Sequence, residues 1–273
     1  MTYFYPLPLG GRMNFKRINT MIHHVWYHMR HSVETLSDLF WMPLMNTILF
    51  GFMVSFFLQG GKVADASLVL VGVILWYMVE VGSYSIAVGA LWEIWCQSLS
   101  SLFVTPLTLA EFVIAHMLFS IVKQLLMFVF LSGAVFLFFH FSIFQLGWML
   151  VVYLSLLTMF AWAVGMFTLS LILRFGTVIQ SFAWTFIYLI QPVVGVYYPI
   201  RVLPAWLQKV AGGIPITYVF DQARVQYAGG TPQAAPLVTA ALLNIIYLAA
   251  SAFFLSRMWA WSKRTGSLVR MET

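Results

Sequence analysis

Six apolar stretches follow one another along the chain, at residues 40–58, 66–91, 112–139, 144–173, 177–198 and 234–261, each set off by a polar or glycine- and proline-containing break. A bilayer core takes about 20 apolar residues per helix, and backbone in lipid must pair its own N–H and C=O groups, so each stretch predicts a transmembrane helix. Several are longer than this and must tilt, kink or project. Ahead of them Ile18, Met21, Ile22, Val25, Met29, Val33 and Leu36 recur at three- and four-residue steps, with His24, His28, Arg30 and His31 away from most of that stripe. This pattern predicts an amphipathic helix lying in the membrane interface. The expected fold is therefore an all-α integral membrane protein: an N-terminal segment 1–38, a six-helix domain 39–262 and a tail 263–273.

Composition agrees with this reading. Of 273 residues, 62% are hydrophobic and only 8% charged, against about 25% charged in soluble domains. The stretch 1–16 carries Pro6, Pro8, Gly10 and Gly11 where a signal peptide would need an apolar run. Arg12, Lys16, Arg17 and Arg30 precede the first span and Lys263, Arg264 and Arg270 follow the last, whereas Lys62, Arg201, Lys209 and Arg224 fall on the other side. The positive-inside bias then predicts that both termini are cytoplasmic, in the inner (plasma) membrane. The net charge of +6 is mostly this juxtamembrane excess; it attracts anionic headgroups and gives no reason to invoke nucleic acid.

Catalytic chemistry finds little support. No phosphate-binding Gly-x-x-x-x-Gly-Lys-Ser/Thr loop exists, and Gly60-Gly61-Lys62 lacks both its spacing and its hydroxyl. The eight carboxylates form no metal-binding or acid–base pair motif. Cys96 is the single cysteine, which excludes an intrachain disulfide and a cysteine zinc site. His24, His28 and His31, at i, i+4 and i+7, have a spacing that presents imidazoles to one metal ion; without an adjacent carboxylate or cysteine, the simpler reading is a basic face toward lipid phosphates. For Ser83 and Ser85, beside Gly82, the base considered is His140 at a span end, a poor arrangement for an intramembrane protease. Glu80 and Lys123 lie about 20 and about 18 Å inside their spans, deep enough to meet near mid-bilayer as an ion pair.

Two polar breaks carry more signal. Residues 92–111 are too polar for lipid and too apolar for a free linker, with Leu99, Leu102, Phe103 and Leu107 spaced for a short helix with one apolar side. This segment faces the cytoplasm in the predicted topology, where a protein surface would cover it. Residues 199–232 combine Pro199, Pro204 and Pro215 with Trp206, Leu207 and Val210, as expected of short proline-bounded helices dipping into the outer leaflet. Trp41, Trp76, Tyr77, Tyr84, Trp184, Tyr188, Tyr197 and Tyr198 are aromatic in the manner of interfacial belts and helix packing, or of a path lined for sugars, lipids or drugs.

At these two breaks the chain resembles the ABC type-2 (ABC-2) exporter permeases. Glu93 through Glu111, with the core Leu-Phe-Val-Thr-Pro-Leu-Thr-Leu-Ala-Glu-Phe, is similar to the family's cytoplasmic coupling segment. Tyr198-Pro199-Ile200-Arg201-Val202-Leu203-Pro204-Ala205-Trp206-Leu207-Gln208 and Ile214 through Arg224 are similar to its extracellular re-entrant region. The resemblance implies a half-transporter: two permease chains, as a homodimer, enclose a path, and two separate ATPase subunits carrying ATP and Mg dock beneath, so that this chain binds no cofactor. It places Glu93, Leu102, Phe103, Pro106 and Glu111 on the coupling segment and Pro199, Pro204, Trp206, Pro215 and Arg224 at the outer gate. Cys96 to Ser101 carry less charge than many relatives. The substrate classes left open are a lipid-linked glycan, a lipid or an amphiphilic drug. An ion-coupled secondary transporter or channel is the rival, although the proline-rich break occurs in one half only; a membrane-embedded transferase would need acids or histidines clustered at one interface.

Overall fold

The computed structural model describes residues 13–57 and 63–265, without the side chains of residues 34, 57, 63–66, 99, 100, 103, 177, 180, 183 and 184. The readings on 1–12, on Gly60, Gly61 and Lys62, on Arg270, and on the Phe103 and Trp184 side chains lie outside what is described. The described chain is all-helical. In order it forms α1 (Phe15–His31), α2 (Val33–Phe57), α3 (Val63–Trp95), α4 (Leu99–Val104), α5 (Leu109–Phe139), α6 (Met149–Phe175), α7 (Gln180–Ile190), α8 (Ala205–Gly212), α9 (Pro215–Tyr227) and α10 (Ala234–Thr265). Five of these, α2, α3, α5, α6 and α10, are long and apolar enough to cross a membrane.

The amphipathic stripe forms as α1, which buries Ile18, Met21, Val25 and Met29 against α5 and, less extensively, α2. Burial of each such side chain is worth about 1.5–3 kcal/mol relative to water. Val33 and Leu36 do not continue the stripe. The helix ends at Ser32, an extended residue, and Val33 begins α2 and is 82% exposed.

Six spans were expected where five long helices form. Residues 177–198 make a 3₁₀ turn at Gly176–Ile179, the 11-residue α7, then turns. Pro192 has no N–H to offer a helix, and Gly195 sits at φ +73°, so the helix stops. The segment nonetheless runs the height of the bundle. It starts beside Arg174, which lies over Trp261 near the end of α10, passes Glu80 at Tyr188, and reaches Phe50 near the far end of α2, where Tyr197 stacks at 4.9 Å.

Helix α3 is the axis of the fold. Its 33 residues give it a length of about 50 Å, and it packs on α6, α5, α2 and α9 with Trp76, Ile74, Leu75, Ile86 and Leu91 fully buried. Three of its glycines lie under polar side chains from other elements. A Cβ at Gly72 would overlap the Val196 carbonyl and the Arg224 guanidinium, one at Gly82 the Gln124 amide, and one at Gly89 the His116 ring. Gln124 uses its notch to donate to the Met78 carbonyl at 2.8 Å while accepting from Thr158 at 2.9 Å. Small residues that admit close approach, together with interhelical hydrogen bonds, are what hold helices together in lipid.

Filling the notch should therefore break the α3–α5 contact. Gly82→Val is expected to destabilise the protein by about 1–3 kcal/mol, read as a loss of unfolding free energy in micelles. Gly133→Ala, in open space on α5, should be neutral or stabilising by up to ~1 kcal/mol.

Candidate functional site

The turn between α3 and α5 is built around two carboxylates. Thr108 caps α5 with its hydroxyl on the Glu111 N–H (3.2 Å), and Glu111 Oε2 accepts from the Thr108 N–H (2.9 Å), forming a capping box. Glu111 Oε1 accepts from the N–H of Asn14, the residue that caps α1 (2.9 Å). One fully buried carboxylate thus holds two helix N-termini, where backbone N–H groups and the helix dipoles favour negative charge. Arg17 of α1 completes the joint, donating to the Pro106 carbonyl and lying 3.4 Å from Glu111 Oε2.

Glu93 makes the second tie, in the last turn of α3. Its Oε1 meets His24 Nε2 of α1 at 2.9 Å, and its Oε2 accepts from Ser98 Oγ at 2.5 Å. The hydrogen bond from Glu93 raises the pKa of His24 above that of a free imidazole, against the opposing effect of burial. His28, stacked near Trp92 with ring centroids 4.9 Å apart, is shifted the other way by burial. His31 turns back to the Tyr27 carbonyl. The three histidines do not converge, and no cluster with metal-ligand composition occurs among the described residues.

Between these ties lies α4, six residues long. Leu102 and Leu107 pack partly into the core, while Val104 is 80% exposed and Trp95 39%. Glu93 and Glu111 point inward and brace the segment; Val104, Pro106 and Trp95 face out.

At the opposite end, Pro199 precedes a 3₁₀ turn, Pro204 caps α8 and the buried Pro215 opens α9. Arg224 reaches back from α9 to the carbonyls of Val196 and Tyr198, the latter at 3.2 Å, so it staples the turns after α7. Tyr247, well inside α10, donates to the Gly213 carbonyl at 3.0 Å, and Gln226 near the end of α9 accepts from Tyr153 at 2.7 Å. The structure brings Pro199, Pro215 and Arg224 into one substructure; Trp206 stands apart, 66% exposed.

The expected Glu80–Lys123 ion pair does not form. The Tyr188 hydroxyl donates to Glu80 at 2.7 Å, and the Lys123 ammonium lies over the Phe119 ring, 5.4 Å from its centre. Gln124 occupies the α5 position that faces α3, which turns its neighbour Lys123 aside. Both charged residues still line one cavity of about 260 Å³, with Asp38, Pro43 and Tyr84 among its other walls. Of the aromatic candidates, Trp76 and Tyr77 are core residues, and Trp41 and Tyr188 are exposed.

With His140 as the base considered from the sequence, His116 goes unnoticed. His116 sits inside the third apolar stretch, only 3% exposed, its ring over Gly89 and against Phe112. A histidine within an apolar span is itself a signal. Its hydrogen bond to Ser85 goes to the backbone carbonyl and not to the hydroxyl: His116 Nε2 and Ser85 Oγ have no partner among the described residues, so no nucleophile–base pair exists there.

The His24–Glu93 tie carries a pH sign. Because the folded state raises the His24 pKa, its contribution to docking α1 is complete below the ordinary imidazole value of 6.5 and disappears as pH rises through the raised value. His28, lowered by burial, acts in the opposite direction, so the difference between wild type and His24→Gln isolates the effect. NMR titration should show His24 above 6.5 in the wild type and at or below it in Glu93→Gln.

Among known proteins, the chain matches no family model and no curated sequence.

Proposed function

We propose that this chain is the transmembrane permease subunit of an ATP-binding-cassette exporter of the type-2 class, working as a homodimer with two separate ATPase subunits that bind ATP and Mg. The observation that carries this reading is the build of the segment 92–111. A short helix that ends on the exposed Val104, between the exposed Trp95 and Pro106, is locked by Glu93 and Glu111 to α3, α5 and α1 at once. Such a joint moves as a unit, which is what a docking element needs if it is to pass a partner's motion into the bundle. The order of the two sequence motifs supports it.

In this reading residues 176–198 are the fifth crossing in broken form, α8 and α9 are a re-entrant pair on the outer side, α1 lies in the inner interface, and both termini are cytoplasmic in the plasma (inner) membrane. ATP binding closes the partner dimer, the joint carries the displacement to the spans above it, and the interface between two permease chains opens outward. The driving free energy lies in the partner's two states, since nothing in this chain senses nucleotide. The cargo is a lipid-linked glycan, a lipid or an amphiphilic drug.

A second reading, an ion-coupled carrier, is favoured by one observation: Glu80 and Lys123 share a cavity wall without pairing. Co-expression and co-purification with an ABC-type ATPase, sought first in a neighbouring reading frame, separates the two. On the exporter reading the ATPase associates, and Glu93→Ala and Pro106→Gly each change its turnover by a factor of about 2 to 30, the range given by coupling losses of ~0.5–2 kcal/mol. If no ATPase associates and both substitutions are silent, the carrier reading replaces it.

A further inference from the structure

Two carboxylates within the bundle have no base paired to them. Glu80, at membrane depth on α3, accepts from the Tyr188 hydroxyl at 2.7 Å, and Asp38, near the start of α2, lies 3.4 Å from the Tyr84 hydroxyl. The ion pairs among the described residues, Arg17 with Glu111 and His24 with Glu93, involve neither acid. Both acids line the cavity of about 260 Å³ enclosed by α2, α3, α5, α6 and α7. Ser85, 4% exposed, belongs to the same wall, and its hydroxyl has no partner among the described residues. Other buried polar atoms in that condition are spread through the bundle, and none of them is on a residue that lines this cavity.

Lys123 is the one base in the wall, and it does not answer the acids. Its ammonium lies over Phe119, one turn nearer the start of α5. It therefore leans toward a second, inner cavity of about 200 Å³, which it also lines together with His28, Glu93 and His116. The larger cavity is left with two carboxylates against one displaced ammonium. A resident metal ion does not fit, since no group of three metal-ligating side chains occurs among the described residues, and much of the wall is apolar, with Leu39, Val81, Val164 and Ile187. Carboxylates beside tyrosine rings and aliphatic walls are the complement of an organic ammonium, whose charge meets the acids and whose alkyl groups meet the rings. Two wall residues, Met42 on α2 and Tyr188 on α7, are 59% and 48% exposed. The cavity thus opens at the flank of the bundle between those helices, where a ligand dissolved in the membrane can enter sideways.

We infer that this cavity binds an amphiphilic organic cation, its ammonium held by Glu80 and Asp38 beside Tyr188 and Tyr84, and its apolar body against Leu39, Val81 and Ile187. The site lies within a single chain and needs no ATPase, so it stands or falls separately from the exporter reading.

The test uses the full-length chain, purified without any ATPase in micelles of an uncharged detergent. Calorimetric titration measures the Kd for (4-phenylbutyl)trimethylammonium and for 4-phenylbutanoate, which has the same apolar body and the opposite charge. The cation should bind at one saturable site, and the anion about tenfold more weakly or not at all. Glu80→Gln and Asp38→Asn, which preserve shape and the acceptors for the two phenols, should each weaken cation binding about tenfold. Lys123→Met should tighten it roughly two- to tenfold by removing the one opposing charge, a sign that loss of packing would not produce. Absence of saturable cation binding below about 1 mM, equal affinity for the anion, unchanged affinity in the acid variants, or weaker binding in Lys123→Met overturns the proposal. So does displacement by sodium chloride at the ligand's own concentration, which would make an inorganic cation the ligand. Should one acid variant fail to fold, the other gives the same readout from a different helix.

Discussion

A polar side chain inside an apolar bundle has to find its partner on another helix, because lipid supplies none and an unmet group costs several kcal/mol. Helix α3 shows how the chain meets this demand. Its glycines admit Arg224, Gln124 and His116 from three directions, and all three use the access to bond backbone carbonyls, Val196 and Tyr198 for Arg224, Met78 for Gln124 and Ser85 for His116. Asn244 of α10 does the same at the Leu156 carbonyl of α6, at 2.9 Å. Oily packing alone gives helices little reason to prefer one rotation over another in lipid. These bonds supply the register.

The two buried acids follow from the same demand at the membrane edge. Glu111 has four donors within reach: the N–H groups of Thr108 and Asn14, its capping hydroxyl partner, and Arg17. With so many contacts it fixes where α1 begins relative to α5, and Glu93 fixes the middle of α1 through His24. Two attachment points on a 17-residue helix remove its freedom to swing. The apolar stripe holds the helix down, and the acids set its position along the bundle.

Much of this was legible in the chain. The long apolar runs gave the five long helices, and the three- and four-residue steps gave α1 as far as Met29. Thr108 and Glu111, three apart before an apolar run, are a capping-box signature readable without coordinates. Pro192 and Gly195 were equally visible as a break in the run 177–198 but were outweighed by its hydropathy. What could not be read was which far residue answers which. Nothing in the spacing links Glu93 to His24, or distinguishes Lys123, turned to a ring, from Gln124, turned to α3, because adjacent residues on a helix differ by about 100° and the facing helix decides between them. The same gap hid His116, whose importance comes from Gly89 on another helix.

Position, finally, ties the inner cavity to the joint. Glu93 lines the inner cavity and also holds His24 and Ser98, so one side chain belongs to both the cavity wall and the brace. His28 enters the cavity from α1, one turn beyond His24, while His116 enters from α5, just over one turn beyond Glu111. A displacement of the segment 92–111 is therefore passed to α1, α3 and α5 together, the three helices that line the cavity. Three helices joined at one end carry a motion of that end inward, because packed helices shift as rigid bodies and do not deform locally. The cavity is the part of the bundle's interior that shares a wall, Glu93, with the joint.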